Sequence, residues 1–207
     1  MSRPKTLLEL AGAAAQPVLW EKSTLLLIDH QQEYSAIGGL PLIGIDAAVA
    51  EIGRLLAAAR DAGAPVIHIQ QQGRPGGALF TPGTPRADFI ASVQPADGEL
   101  VIPKGLPNAF AKTTLDEALR KIGRNELIVA GFMTHMCVSA TVRSALDHGY
   151  RTSVVAAGCA TRDLPDPLSD SVLSAAELHR AALAALADRF ATILPNAAAI
   201  TGSKAAA

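Results

Sequence analysis

Residues 24–29, TLLLID, form an unbroken apolar run closed by a carboxylate, and the run has five counterparts further along the chain. These are PVIHIQ (65–70), ELVIPK (99–104), ELIVAG (126–131), RTSVVAAG (151–158) and FATILP (190–195). A strand with one wet face alternates apolar and polar residues, whereas a run without alternation reads as a strand covered on both faces. Between the runs the apolar spacing turns helical. Val49, Ile52, Leu55 and Leu56 share one face of a helix over 46–62, which Ala-Gly-Ala-Pro stops. Further helices are expected over 113–123, capped by Thr113 or Thr114 and closed by Gly123, over 137–148 and over 171–188. A Gly/Pro-rich loop occupies 73–87, with a short helix expected near 86–92. Strands alternating with helices imply a three-layer α/β/α fold around a six-stranded parallel sheet, joined by right-handed crossovers. In such sheets ligands bind beyond the carboxyl ends of the strands, near the switch in strand order.

The chain has 207 residues, enough for one domain with a sizeable core, which we place at 20–202. Residues 1–19 read as an N-terminal arm and the Ala-rich 203–207 as a frayed tail. The net charge of −1 and the lack of a basic stripe with interleaved aromatics argue against a nucleic-acid partner. No run reaches membrane-spanning length, so no membrane partner is expected. Arg3 and Lys5 precede an apolar stretch over 6–15, but Glu9 interrupts it and a Pro rather than a cleavage site follows, so no signal peptide is expected. Two cysteines, Cys137 and Cys159, suit reduced thiols and a cytoplasmic location better than a disulfide framework. GGLPLIG (38–44) and GRPGG (73–77) match neither phosphate-binding glycine pattern, and no cofactor is expected.

Three functional groups fall on the sheet edge where a ligand would bind. Asp29 closes the first run, Lys104 closes the third, and Cys137 follows the fourth where the next helix should start. A thiol at a helix N-terminus beside an ammonium has a lowered pKa, and a carboxylate can take its proton. Each residue also has a plain structural reading: a small buried hydrophobe, a turn former, a solvated lysine. Their coincidence on one edge favours a nucleophile, a base and an electrostatic helper.

LLLIDHQQEY (25–34) resembles the first block of the isochorismatase-like superfamily, a strand ending in Asp followed by Gln31 and Tyr34. KGLPNAFAKTTL (104–115) is similar to its second block, with Asn108, Phe110, Thr113 and Leu115 after the Lys, and GFMTHMCVSATVRSALDHGY (131–150) to its nucleophile block. The three occur in the family's order and span roughly the region 20–200.

The resemblance implies a cysteine hydrolase that cleaves an amide-type C–N bond of a small molecule through Cys137, Asp29 and Lys104 and a thioester intermediate. It also implies a cis Phe132–Met133 bond, an oxyanion hole from the N–H groups of Met133 and Cys137, and a sheet in the order 3-2-1-4-5-6. In that order Lys104 must reach across two inter-strand spacings, about 10 Å. Gln31, Tyr34, Asn108, Phe110, Met133 and His135 are the pocket candidates.

Metal-binding members carry an Asp-x-His and a further His around the second strand. Here His68 stands alone before Gln70-Gln71-Gln72-Gly73, and His30 points to the opposite face from Asp29, so no metal is expected. His135-Met136 replaces the Ser-Gly of carbamoylsarcosine-type and maleamate-type amidases, leaving those substrates unsupported. Cys159 reads as structural, and Glu177, His179 and Arg180 as a solvated or oligomer-facing stripe. The family implies a homo-oligomer. Two rivals stand beside the amidase: a vinyl-ether hydrolase that uses the Asp as acid, and a non-catalytic or redox-sensing protein.

Overall fold

The computed structural model describes residues 3–13, 16 and 18–200; the expected tail over 203–207 lies outside them. All six residues of β1 (Ser23–Ile28) are buried, as the lack of alternation requires of a central strand. Around it lie β2 (Val66–Gln71), β3 (Leu100–Lys104), β4 (Glu126–Phe132), β5 (Arg151–Ala160) and, after a small hairpin of β6 (Leu164–Pro165) and β7 (Val172–Leu173), β8 (Ala191–Leu194). The six long strands are parallel in the order β3-β2-β1-β4-β5-β8, the expected order with β8 as the sixth strand.

Successive strand residues point to opposite faces, and β1 shows how the core divides. Leu25 and Leu27 face one cluster with Ile52, Leu55 and Phe132. Leu26 and Ile28 face another with Leu115, Leu119, Val142 and Leu186. The helices are α1 (Leu7–Leu10), α2 (Ile45–Asp61), α3 (Leu115–Ile122), α4 (Ser139–Asp147) and α5 (Ala175–Arg189). Thus α2 covers the first face, and α3, α4 and α5 the second, giving the three-layer architecture. Gly123 closes α3 in the left-handed conformation at φ +75°, and Thr113 Oγ1 rather than Thr114 accepts from the Leu115 N–H (3.2 Å).

Three expectations about local structure need correction. No helix spans 86–92: the Ala87 carbonyl accepts from Gln31 and Gln70, and only a single 3₁₀ turn follows at Ala91–Val93. The last helix starts at Ala175, because Ser174 and Glu177 form a capping box and Val172–Leu173 pair with the hairpin instead. Cys137 sits in a wide π-type turn, Thr134–Val138, before α4 begins. The N-terminal arm carries α1, tied to α5 by a Leu7 N–H to Asp188 Oδ1 bond of 2.8 Å.

Candidate active site

Asp29 follows β1 at φ +52°, a left-handed backbone that turns the chain sharply at the sheet edge. Its N–H donates to Ile69 O (3.0 Å) and its carbonyl accepts from the Gln31 N–H (2.9 Å). Lys104 starts two strands away, yet its stem crosses the end of β2: Nζ donates to Gln71 Oε1 at 2.6 Å and lies 2.7 Å from Asp29 Oδ2. The same Nζ is 3.4 Å from Cys137 Sγ. Gln71 thus serves as the stepping stone for the reach that strand order demands. Gly131, at φ +124°, completes the approach; a Cβ there would collide with the backbone of Ile28, beside Asp29. The structure therefore brings Asp29, Lys104 and Cys137 together, at 0 %, 3 % and 4 % exposure.

Burial decides the electrostatics. The Asp29 carboxyl is raised above its ordinary range by loss of water, with Lys104 opposing. The Cys137 thiol is pushed up to about 12, first by burial and next by the Asp29 charge, while Lys104 pulls the other way. This corrects the expectation of a low-pKa thiol: one ammonium and a turn before a helix do not offset desolvation here. Cys159, in an apolar setting, is likewise raised to about 12 by burial.

The pocket candidates divide. Tyr34 is 2 % exposed, packs edge-on against Phe80 and Phe132, and has its hydroxyl pKa raised by burial and by the Asp29 and Cys137 charges. Met133 is buried after a cis Phe132–Met133 peptide, and its carbonyl accepts from Met136 and Val138 (3.0 and 3.2 Å). His135 lies two residues before the thiol; its Nδ1 meets Thr161 Oγ1 at 2.6 Å, and its Nε2 is buried without a partner. The other three hold structure. The Gln31 amide donates to Gln71 O and Ala87 O and accepts from the Gln71 N–H. Asn108 Oδ1 accepts from the Phe110 N–H within its own turn. Phe110 stacks on His148 and Tyr150.

Several contributors gave no sequence signal. Glu33, 1 % exposed, accepts from the Gly39 N–H (2.6 Å) and the Phe80 N–H (2.7 Å), stapling the Gly/Pro-rich loop beside Tyr34. His179 reaches back to Thr134 Oγ1 at 2.9 Å, so it braces the turn that carries Cys137 rather than lying in a solvated stripe. On the other side of Asp29, His68 uses both ring nitrogens, on His30 Nε2 (3.0 Å) and Glu99 Oε2 (2.8 Å). Among the described residues no group of three or more His, Cys, Asp or Glu is placed to hold a metal ion, and no helix is long and apolar enough to cross a membrane.

Residues 23–198 match the family model of the isochorismatase domain. A streptothricin hydrolase of Streptomyces noursei is 38% identical over 191 residues, covering 91% of this chain and 73% of that one. Maleamate amidohydrolase of Pseudomonas putida is 36% identical over 150 residues, 65% of this chain and 70% of its own. The crystal structure of an isochorismatase from Pseudomonas putida KT2440 superimposes with a TM-score of 0.89 at 45% identity, covering 95% of this chain and 99% of that one. With the fold, the strand order and the matched region in agreement, the chain belongs to the isochorismatase family.

Proposed function

We propose that this chain hydrolyses a C–N bond of a small amide-type substrate, with Cys137 as nucleophile, Asp29 as acid and base, and Lys104 as their electrostatic partner. Hydrolysis of C–N bonds is supported by the family and by relatives named as hydrolases and amidohydrolases. The triad rests on one observation: Lys104 Nζ stands 2.7 Å from Asp29 Oδ2 and 3.4 Å from Cys137 Sγ inside a site that water scarcely reaches.

A thiol held at about 12 is not ionised at neutral pH, so its proton leaves as the bond forms. Sγ attacks the carbonyl carbon while the Asp29 carboxylate, made more basic by burial, takes the proton. The N–H groups of Met133 and Cys137 stabilise the oxyanion; one such donor is typically worth about 3–4 kcal/mol in the transition state. Asp29 then protonates the leaving nitrogen, the C–N bond breaks and a thioester remains. Water attacks the thioester, Asp29 takes a proton from it, and Sγ departs and is reprotonated. Tyr34, Met133 and His135 line the substrate's place, and Gln31 shapes it by fixing Gln71 and Ala87. Incubation with a panel of small amides should release ammonia, and acid quenching should trap a Cys137-linked acyl group by mass spectrometry. No ammonia release from any amide would overturn the reading.

One observation favours the vinyl-ether reading: a raised Asp29 carboxyl suits an acid, and an un-ionised thiol suits a bystander. In that case Cys137→Ala would keep turnover of a vinyl ether. A redox sensor fits less well, since sensing thiols are exposed and readily ionised, and Cys137 is neither.

A further inference from the structure

Side chains from outside anchor the turn that carries Cys137. Over Thr134–Val138 the backbone is wound wide, and the Met133 carbonyl accepts from both Met136 and Val138 (3.0 and 3.2 Å). Wide turns of this kind are rare and cluster at functional sites. At the first residue of the turn, Thr134 Oγ1 is buried and lies 2.9 Å from His179 Nδ1 and 3.1 Å from Ala160 O. At the second, His135 Nδ1 meets Thr161 Oγ1 at 2.6 Å. The turn is thus held from α5 on one side and from the end of β5 on the other.

The direction of the His179 bond follows from its surroundings. Thr134 has one hydroxyl proton, and a carbonyl only accepts, so that proton goes to Ala160 O. Oγ1 is then the acceptor for His179, which places the imidazole proton on Nδ1. Burial lowers the His179 pKa and favours the neutral ring. The Nδ1 proton is present in the charged form too, so the bond persists in either state. His179 is itself firmly placed. It stands in the second turn of α5, whose start is fixed by the Ser174–Glu177 capping box and by Asp163 Oδ1, which accepts from the Ala175 N–H at 2.7 Å. The contact therefore runs from a pinned helix start to the first residue of the turn.

We propose that His179 is a positioning residue for the reaction: by holding Thr134 it sets where the Cys137 sulfur stands relative to Asp29 and Lys104. The inference rests on the reading of Cys137 as the nucleophile. Among the described residues no hydrogen bond or ion pair joins His179 to Asp29, Lys104 or Cys137, so its effect is carried by the turn. That geometry leaves little slack. The sulfur sits 3.4 Å from Lys104 Nζ at 4 % exposure, and a misplacement of about 1 Å in a reacting group can cost about a hundredfold in rate. A histidine that merely packed α5 onto the sheet would matter for stability and leave the placement of the thiol alone.

The test follows ammonia release from acetamide, butyramide and benzamide by the full chain. His179→Leu removes the donor and keeps an apolar side chain in its place. It should lower kcat on the amides that are turned over by about ten- to a hundredfold, with KM moving less than about threefold. His179→Asn offers an amide N–H close to where the Nδ1 proton was and should restore most of the rate. Thr134→Val deletes the acceptor at similar volume, and adding His179→Leu to it should cost no further rate, as for two residues that act through one contact. Iodoacetamide alkylation of Cys137, followed against Cys159 in the same sample, reads the turn without turnover. It should rise several-fold in His179→Leu, because a loosened turn loses burial that keeps the thiol un-ionised, and fall back in His179→Asn. If no amide is hydrolysed but alkylation follows this order, the positioning role stands and the hydrolase reading falls. The positioning role falls, and the hydrolase reading stands, if the amides are hydrolysed and His179→Leu changes neither kcat nor Cys137 alkylation. The same holds if His179→Leu lowers both melting temperature and rate and His179→Asn restores only the melting temperature.

Discussion

At Cys137 burial and the neighbouring Asp29 outweigh Lys104, and the effect of each neighbouring charge can be tested separately. In the wild type, iodoacetamide should modify Cys137 slowly at pH 8, no faster than Cys159, since both thiols are held near 12. Asp29→Asn removes a negative neighbour, so the thiol should ionise at lower pH and alkylate faster. Lys104→Met removes the positive neighbour and should move the thiol further up. Both variants should lose about a hundredfold or more in turnover, the usual scale for a positioned acid or base. The rate of alkylation against pH, measured beside turnover, checks this; shifts in one direction in both variants would show that the charges are not arranged as described. These three residues were legible because each closes or follows an apolar run and so lands on the carboxyl edge of the sheet. His179 was not, because a lone histidine on a helix looks like any solvated one until its contact with Thr134 Oγ1 is known.

At the level of elements, the strands of the sheet were readable to within a residue or two: β1 and β4, buried on both faces, cannot hide their composition, whereas the edge strand β3 shows the same apolar run with Leu100 and Val101 exposed. What escaped was held by long-range polar contacts. Gln31 and Gln70 draw Ala87 out of the helix expected at 86–92, and Glu33 pins Phe80 at φ +51° through bonds to backbone groups that any residue carries. Glu33→Ala should leave the Gly39 and Phe80 N–H groups without their acceptor, at about 1–3 kcal/mol for the buried one of Phe80. Limited proteolysis should then cut within 73–84 several-fold faster, with Glu33→Gln intermediate because it keeps one acceptor; unchanged cleavage would show the staple to be idle. Gly131→Ala meets both a positive φ and the Ile28 backbone. It should lower the melting temperature and abolish activity together, whereas a surface substitution such as Lys121→Ala should alter neither.

Across the molecule, the chain Arg60–Glu99–His68–His30 ties α2, the start of β3, β2 and the segment after Asp29 into one network. Burial lowers the pKa of both histidines, so below the ordinary imidazole value of about 6.5 the folded chain binds fewer protons than the unfolded one. Stability should therefore fall as pH drops below that value. Glu99, held at about 2 chiefly by Arg60, adds a second loss as pH falls from the ordinary glutamate value of 4.5 towards 2. Thermal unfolding between about pH 7 and pH 5 should show a declining melting temperature, and His68→Leu should flatten that slope even though it lowers the plateau. The meeting of three side chains at the sheet edge has a kinetic consequence as well. Asp29, Lys104 and Cys137 arrive from three strands that are distant in sequence and joined by crossovers, and Lys104 reaches its partners only over the finished end of β2. Such non-local pairings form late in folding. On refolding from denaturant, catalytic activity should return with the slowest sheet-forming phase, after helical circular dichroism has recovered, which would make turnover a clock for the last step of this chain's folding.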